Sequence, residues 1–255
     1  MISELPMYVS FIFNAAVILT AVFFYFAVRS KPKLNFEDGI DPDMNINIEN
    51  DSRVDTETDY SKITTIVMLI FLLTQGVLGM TGFFIDTNAI PPRMIYLAPP
   101  ALLFLFGIFF LNSGKKFTDS LNPKILTYLH IVRIPVEIVL YLLFVNKLVP
   151  EVMTFAGNNF DILAGISAPF AAYFGYRKNP ESKIARTGLL IWNFICLGLL
   201  FNIILTAVFS VTSPFQLLAI KQPNIGMLYF PFMWLPGFIV PLVFFSHLIC
   251  IRKLL

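Results

Sequence analysis

Residues 125–145 read Ile-Leu-Thr-Tyr-Leu-His130-Ile-Val-Arg133-Ile-Pro135-Val-Glu137-Ile-Val-Leu-Tyr-Leu-Leu-Phe-Val. A helix that crosses a bilayer needs about 20 mostly apolar residues. This run has that length, yet it carries three ionisable side chains. Each costs roughly 2.5–3.5 kcal/mol to insert near the bilayer centre, so such residues face a protein interior and find partners. His130, Arg133 and Glu137 are spaced by three and then four, which places them on one helical face. Arg133 and Glu137 are expected to neutralise each other as an i, i+4 pair. Pro135 lies between them and cannot donate to the Ile131 carbonyl. The stripe reads in two ways: as an ion pair that ties this helix to its neighbours, or as a polar site or proton relay inside a bundle.

The rest of the chain supports the membrane reading. It is 57% hydrophobic with a mean hydropathy of +0.76, and only 13% of residues are charged, about half the share of roughly 25% in soluble domains. Six further stretches approach the spanning length: Pro6–Val28, Ile63–Ile85, Met94–Leu111, Phe160–Tyr176, Gly188–Val208 and Met227–Ile251. The expected fold is all-α: one polytopic seven-helix transmembrane bundle over residues 1–255. The sequence shows no internal repeat. The first residues, Met1 to Leu5, include one acid and no base, unlike a cleaved secretory signal.

Lysine and arginine set the expected orientation. With seven spans, 14 of the 18 fall on one side, three (Arg93, Lys147, Lys221) on the other, and Arg133 inside a span. The N-terminus is then outside and the C-terminus cytoplasmic. Without a targeting signal, the default membrane is a bacterial inner membrane.

Residues 30–62 form the one long polar loop, on the cytoplasmic side, with nine acids. An EF-hand is excluded, because Ile46 and Ser52 stand where Gly and Glu are required. The loop reads as solvated chain or, over residues 36–60, as a docking surface for a basic protein partner. Met44–Ile48 alternates as a short strand would.

Other polar residues are candidates near the membrane. His247 lies near the end of the last span, at a depth similar to His130. Two such imidazoles form an axial pair for a b-type haem, with Arg133 near a propionate; this is the minor alternative to the expectation of no cofactor. Gly157-Asn158-Asn159 interrupts the approach to the fifth span. Asn158 reads as the N-cap of a helix with Asp161 in its first turn. Alternatively the span is broken at Gly157, and Asp161 becomes a substrate or cation contact, as at the broken helices of transporters. Asn193 and Asn202 are nine residues apart and lie on opposite faces of the sixth span. Tyr229 and Trp234 read as outer-interface anchors. Gln75, Gly79 and Gly82 share a face suited to close helix contact.

Several classes are excluded. No H-E-x-x-H, G-x-S-x-G or Walker A motif is present, so protease and ATP-driven chemistry in this chain are unsupported. The last span has no lysine before Lys253 for a retinal Schiff base. A net charge of +2 argues against nucleic acid. Cys196 and Cys250 lie in apolar runs and show no metal spacing. These features disfavour an enzyme. The expected function is a small secondary transporter or permease, with His130, Arg133, Glu137 and Asp161 lining a polar interior and Asn158, Asn159 and His247 nearby. The alternative is a non-catalytic membrane-complex subunit or receptor-like protein.

Overall fold

The computed structural model describes residues 5–30, 60–87, 89, 91–176 and 183–255. Most of the acidic loop, including the Met44–Ile48 alternation and most of the 36–60 docking segment, lies outside the described residues. Within them the chain is all-helical with no strand. The helices are α1 (Met7–Arg29), α2 (Tyr60–Met80), α3 (Ala98–Phe110), α4 (Asn112–Ser120), α5 (Pro123–Leu129), α6 (Arg133–Val145), α7 (Asp161–Gly175), α8 (Lys183–Ser210) and α9 (Val240–Leu254). Six helical stretches are long and apolar enough to cross a membrane: Met7–Arg29, Tyr60–Met80, Arg93–Phe110, Pro123–Val145, Lys183–Ser210 and Leu235–Leu254. In lipid every backbone N–H and C=O must be paired within the chain, and helices achieve this locally. At 15 residues, α7 spans only about 21 Å, short of a hydrocarbon core of about 30 Å.

The chain ends of these helices sort to two sides of the bundle. On one side the Asn122 amide donates to the Ala27 carbonyl (2.9 Å), Arg252 pairs with Asp119 (2.9 Å), and Tyr60 packs edge-on against Phe117. Arg186 donates to the Leu254 and Leu255 carbonyls there. On the other side, the Ile225 and Gly226 amides donate to the Leu148 carbonyl (3.1 and 2.7 Å), and Gln222 Nε2 donates to the Val149 carbonyl (2.6 Å).

Helix α9 forms the centre, buried on nearly every face. α1 packs along α5 and α6 with a seam at helical spacing, Val9, Phe13, Val17, Thr20, Phe24 and Ala27, and Phe24 reaches Phe245 of α9. Its opposite face shows Phe11, Ile18 and Phe26; in a bilayer these residues meet lipid. α2 and α3 are peripheral, with few buried residues.

The run 125–145 is not one smooth helix. A 3-10 turn at His130–Val132 separates α5 from α6. Pro135 has no N–H to give Ile131, and its ring crowds that carbonyl, so the ladder tightens one turn upstream. The break leaves room for α7. A Cβ on Gly165 would lie 2.9 Å from Ile134 Cγ1 and 3.1 Å from the Ile134 backbone nitrogen. Gly165→Ala is therefore expected to destabilise by about 1–3 kcal/mol through overpacking. The control is Gly198→Ala, where nothing lies within 4 Å and stability holds or rises with helix propensity. Equal midpoints for the two variants in detergent unfolding would refute the close approach.

The last span also begins differently from the expectation at Met227. Residues Gly226–Leu228 form a 3-10 turn, the Phe230–Pro231 peptide is cis, and the membrane helix starts with a π-helical segment, Leu235–Ile239. Prolines at 231 and 236 deny this stretch regular donors. The space it opens faces α2: Gly79 lies against Met233, and Gly237 against Gln75. Trp234 is drawn into the same contact. It packs on Gly76 and donates to the Leu72 carbonyl (3.2 Å), so it joins helices where an exposed interface anchor was expected.

Candidate functional site

Arg133 sits at the first turn after the 3-10 break. It is ten residues beyond Pro123, or about 15 Å at 1.5 Å rise, along a stretch about 34 Å long. Its position is thus near mid-depth, and the side chain is 3% exposed. Nη1 donates to Asp161 Oδ1 at 2.7 Å and to the Cys196 carbonyl at 3.4 Å; Nη2 lies 3.0 Å from His247 Nε2. The expected Arg133–Glu137 pair is not formed. Arg133 is instead bridged to Asp161 on α7, because the break at 130–132 turns the guanidinium toward the incoming helix.

Guanidinium can only donate, so His247 Nε2 is the acceptor and its proton lies on Nδ1. That nitrogen faces Asn193 Oδ1 at 2.9 Å, while Asn193 Nδ2 donates to the Leu189 carbonyl at 2.9 Å. Each assignment fixes the next, and the chain leaves His247 neutral with both nitrogens engaged.

Glu137, one turn along α6, is 1% exposed. Its Oε1 accepts from Asn159 Nδ2 at 2.5 Å, and Asn159 Nδ2 also donates to the Met153 carbonyl at 3.0 Å. Asn159 Oδ1 accepts from the Asp161 amide at 3.1 Å. This i to i+2 bond is an Asx-type turn, and it starts α7 with Phe160 in the N-cap position. Asn158 is therefore not the cap. Its side chain is exposed, and its carbonyl accepts from Asn202 Nδ2 at 2.9 Å.

The segment before α7 thus dips into the bundle to meet mid-depth groups. Irregular backbone at that depth is tolerated only when buried in protein, and Met153, Thr154 and Asn159 are all buried. α7 is short because it begins inside. Asp161 in its first turn faces the positive end of the helix dipole as well as Arg133.

His130 completes the cluster. Its ring stacks on His247 with centroids 4.0 Å apart and planes 21° apart, and Trp192 stands edge-on at 5.5 Å. This geometry does not fit a bis-histidine haem: the rings touch face to face, with no gap for a porphyrin between them, and His247 Nε2 is held by Arg133. Both ring nitrogens of His130, Oε2 of Glu137 and Nε of Arg133 are buried without a hydrogen-bond partner among the described residues.

Of the residues read from the sequence, His130, Arg133, Glu137, Asp161, Asn159 and His247 meet in this network, and Asn158 stands outside it. Asn193 was placed on one face of the sixth span but not joined to the site, and Trp192 and the Cys196 carbonyl were missed. The available signal was the buried seam Leu189, Asn193, Cys196, Leu200 on α8, spaced four, three and four with an amide among apolar residues.

Residues 90–255 match the family described as a domain of unknown function, DUF8737. The chain belongs to the DUF8737 family. The matched DUF8737 segment holds every side chain of the network, whereas α1 and α2 precede it. No curated protein matches the chain, and no solved structure does.

Proposed function

We propose that this chain is a small proton-coupled secondary transporter in a bacterial inner membrane. It crosses the bilayer seven times, with its N-terminus outside and its C-terminus cytoplasmic. The shortened α7 is the additional crossing, and the lysine and arginine distribution supports the orientation.

One observation carries the reading. In the buried network a single fixed cation, Arg133, faces two carboxylates, Asp161 and Glu137. Asp161 takes the ion pair. Glu137 keeps one amide donor and a bare oxygen. Burying an unmatched charge is costly, so a proton on Glu137 or His130 balances the site. A proton on His130 would sit three residues from Arg133 and against the ring of His247, which favours Glu137 as the carrier. The role of Arg133 is then counter-charge and anion contact. A mid-depth site at a broken helix suits alternating access.

The test uses proteoliposomes with an internal pH dye and imposed gradients of amino acids, organic acids and sugars. The wild type is expected to move protons with one solute class, and Glu137→Gln to abolish that signal while keeping its thermal midpoint. No pH change across the whole panel, or a full signal in Glu137→Gln, would overturn the proposal.

A further inference from the structure

We propose that the groove between α2 and α3 holds one acyl chain of an anionic phospholipid, whose headgroup rests on Lys62, Lys115 and Lys116. The groove has a volume of about 830 Å³ and an apolar lining that includes Val67, Phe71, Leu103 and Phe104, with Phe238 of the π-helical segment and Leu242 of α9 behind them. Along α2 it runs from Tyr60 to Thr74, about 21 Å at 1.5 Å rise. It therefore starts at one surface and stops within a core of about 30 Å. One leaflet is half of that core, about 15 Å, so a chain entering from one side fills most of the groove.

Depth and charge agree on which leaflet. One end of the groove is lined by Tyr60, Gly114 and Phe117, and the three lysines occupy the same turns of α2 and α4. All three are exposed, with no ion pair among the described residues. The neighbouring cations are already engaged: Arg252 pairs with Asp119, and Lys253 donates to the Asp119 and Leu121 carbonyls at 2.7 Å. Uncommitted positive charge is thus gathered at the groove mouth. Lipid tails are as apolar as the groove walls, so burial alone selects no lipid; contact with the walls removes a void, and charge selects the headgroup. This inference rests on the membrane reading and is independent of transport.

Native mass spectrometry of the detergent-purified full chain tests it, with phosphatidylglycerol and phosphatidylcholine titrated separately. Phosphatidylglycerol is expected to bind first and tighter, with about fivefold lost per lysine replaced. The triple variant Lys62→Gln, Lys115→Gln, Lys116→Gln then binds both lipids alike. Gly107→Phe fills the groove, since only Leu111 Cδ1 lies within 4.0 Å of its Cβ position, and it is expected to lower first-lipid occupancy for both lipids. Leu103→Trp serves the same purpose if the phenylalanine variant does not fold. Equal wild-type binding of the two lipids, a preference that persists in the triple variant, or undiminished binding in the filled groove would each overturn the proposal.

Discussion

Replacing Arg133 with leucine is expected to destabilise the protein by about 3–5 kcal/mol, the usual consequence of removing one partner of a buried ion pair. The loss is larger than for the exposed Arg93–Asp86 pair at 3.3 Å, where solvent screening leaves roughly 0–1 kcal/mol. Arg133→Leu strands the Asp161 carboxylate at mid-depth and removes the donor from His247 Nε2 and the Cys196 carbonyl. Asp161→Leu alone strands the guanidinium instead. The double variant Arg133→Leu, Asp161→Leu leaves neither charge, and apolar replacements of buried pairs are often neutral in stability. It should recover most of the loss, although His247 still lacks its donor. A double-mutant cycle in bicelles, read by reversible denaturant or thermal unfolding, measures the coupling. Strictly additive losses would mean that the pair does not act as a unit. A recovered fold in the double variant also separates two roles: stability returns, while proton coupling, if Arg133 is its counter-charge, does not.

Membrane character was legible because length and apolarity act locally: a run such as 7–29 or 183–210 has only one affordable backbone state in lipid. The stripe His130, Arg133, Glu137 was legible for the same local reason, since spacing alone puts the three on one face. Partner choice was not. The i, i+4 geometry of Arg133 and Glu137 assumes a regular helix, and Pro135 removes that regularity one turn upstream. Asp161 was read as a first-turn acid, which is local, but its approach to Arg133 depends on how α7 packs through Gly165, which is not. Likewise Asn159 rather than Asn158 sets the start of α7, because its side chain reaches both the Asp161 amide and Glu137. The stacking of His130 on His247 joins residues 117 positions apart; similar depth along two helices allowed the pair to share a site, but not the direct face-to-face contact.

Gly157→Ala is the second large effect. An added Cβ would lie 2.3 Å from the Glu151 carbonyl oxygen and 2.7 Å from Val152 Cα, both backbone atoms that no side-chain rotation can clear. The glycine is needed for close approach. Its amide donates to the Thr154 carbonyl at 2.9 Å, as the Asn159 amide does at 3.2 Å, so the turn that admits Gly157 also aims Asn159. Overpacking of this kind costs about 1–3 kcal/mol, and relief requires the 151–159 segment to move as a body. Asn159 then withdraws from Glu137, which loses the one hydrogen bond it has in the structure. The variant is expected to unfold at lower temperature and to shift the carboxyl infrared band of Glu137, identified by its loss in Glu137→Gln. Asn159→Ala should shift that band in the same way without the backbone clash, and so with a smaller thermal loss. If Gly157→Ala lowers stability while the band stays in place, the turn and the buried carboxylate are structurally separate. A matched shift in the two variants would establish that the backbone break at Gly157 controls the environment of Glu137, through the contact that Asn159, just beyond the break, makes with it.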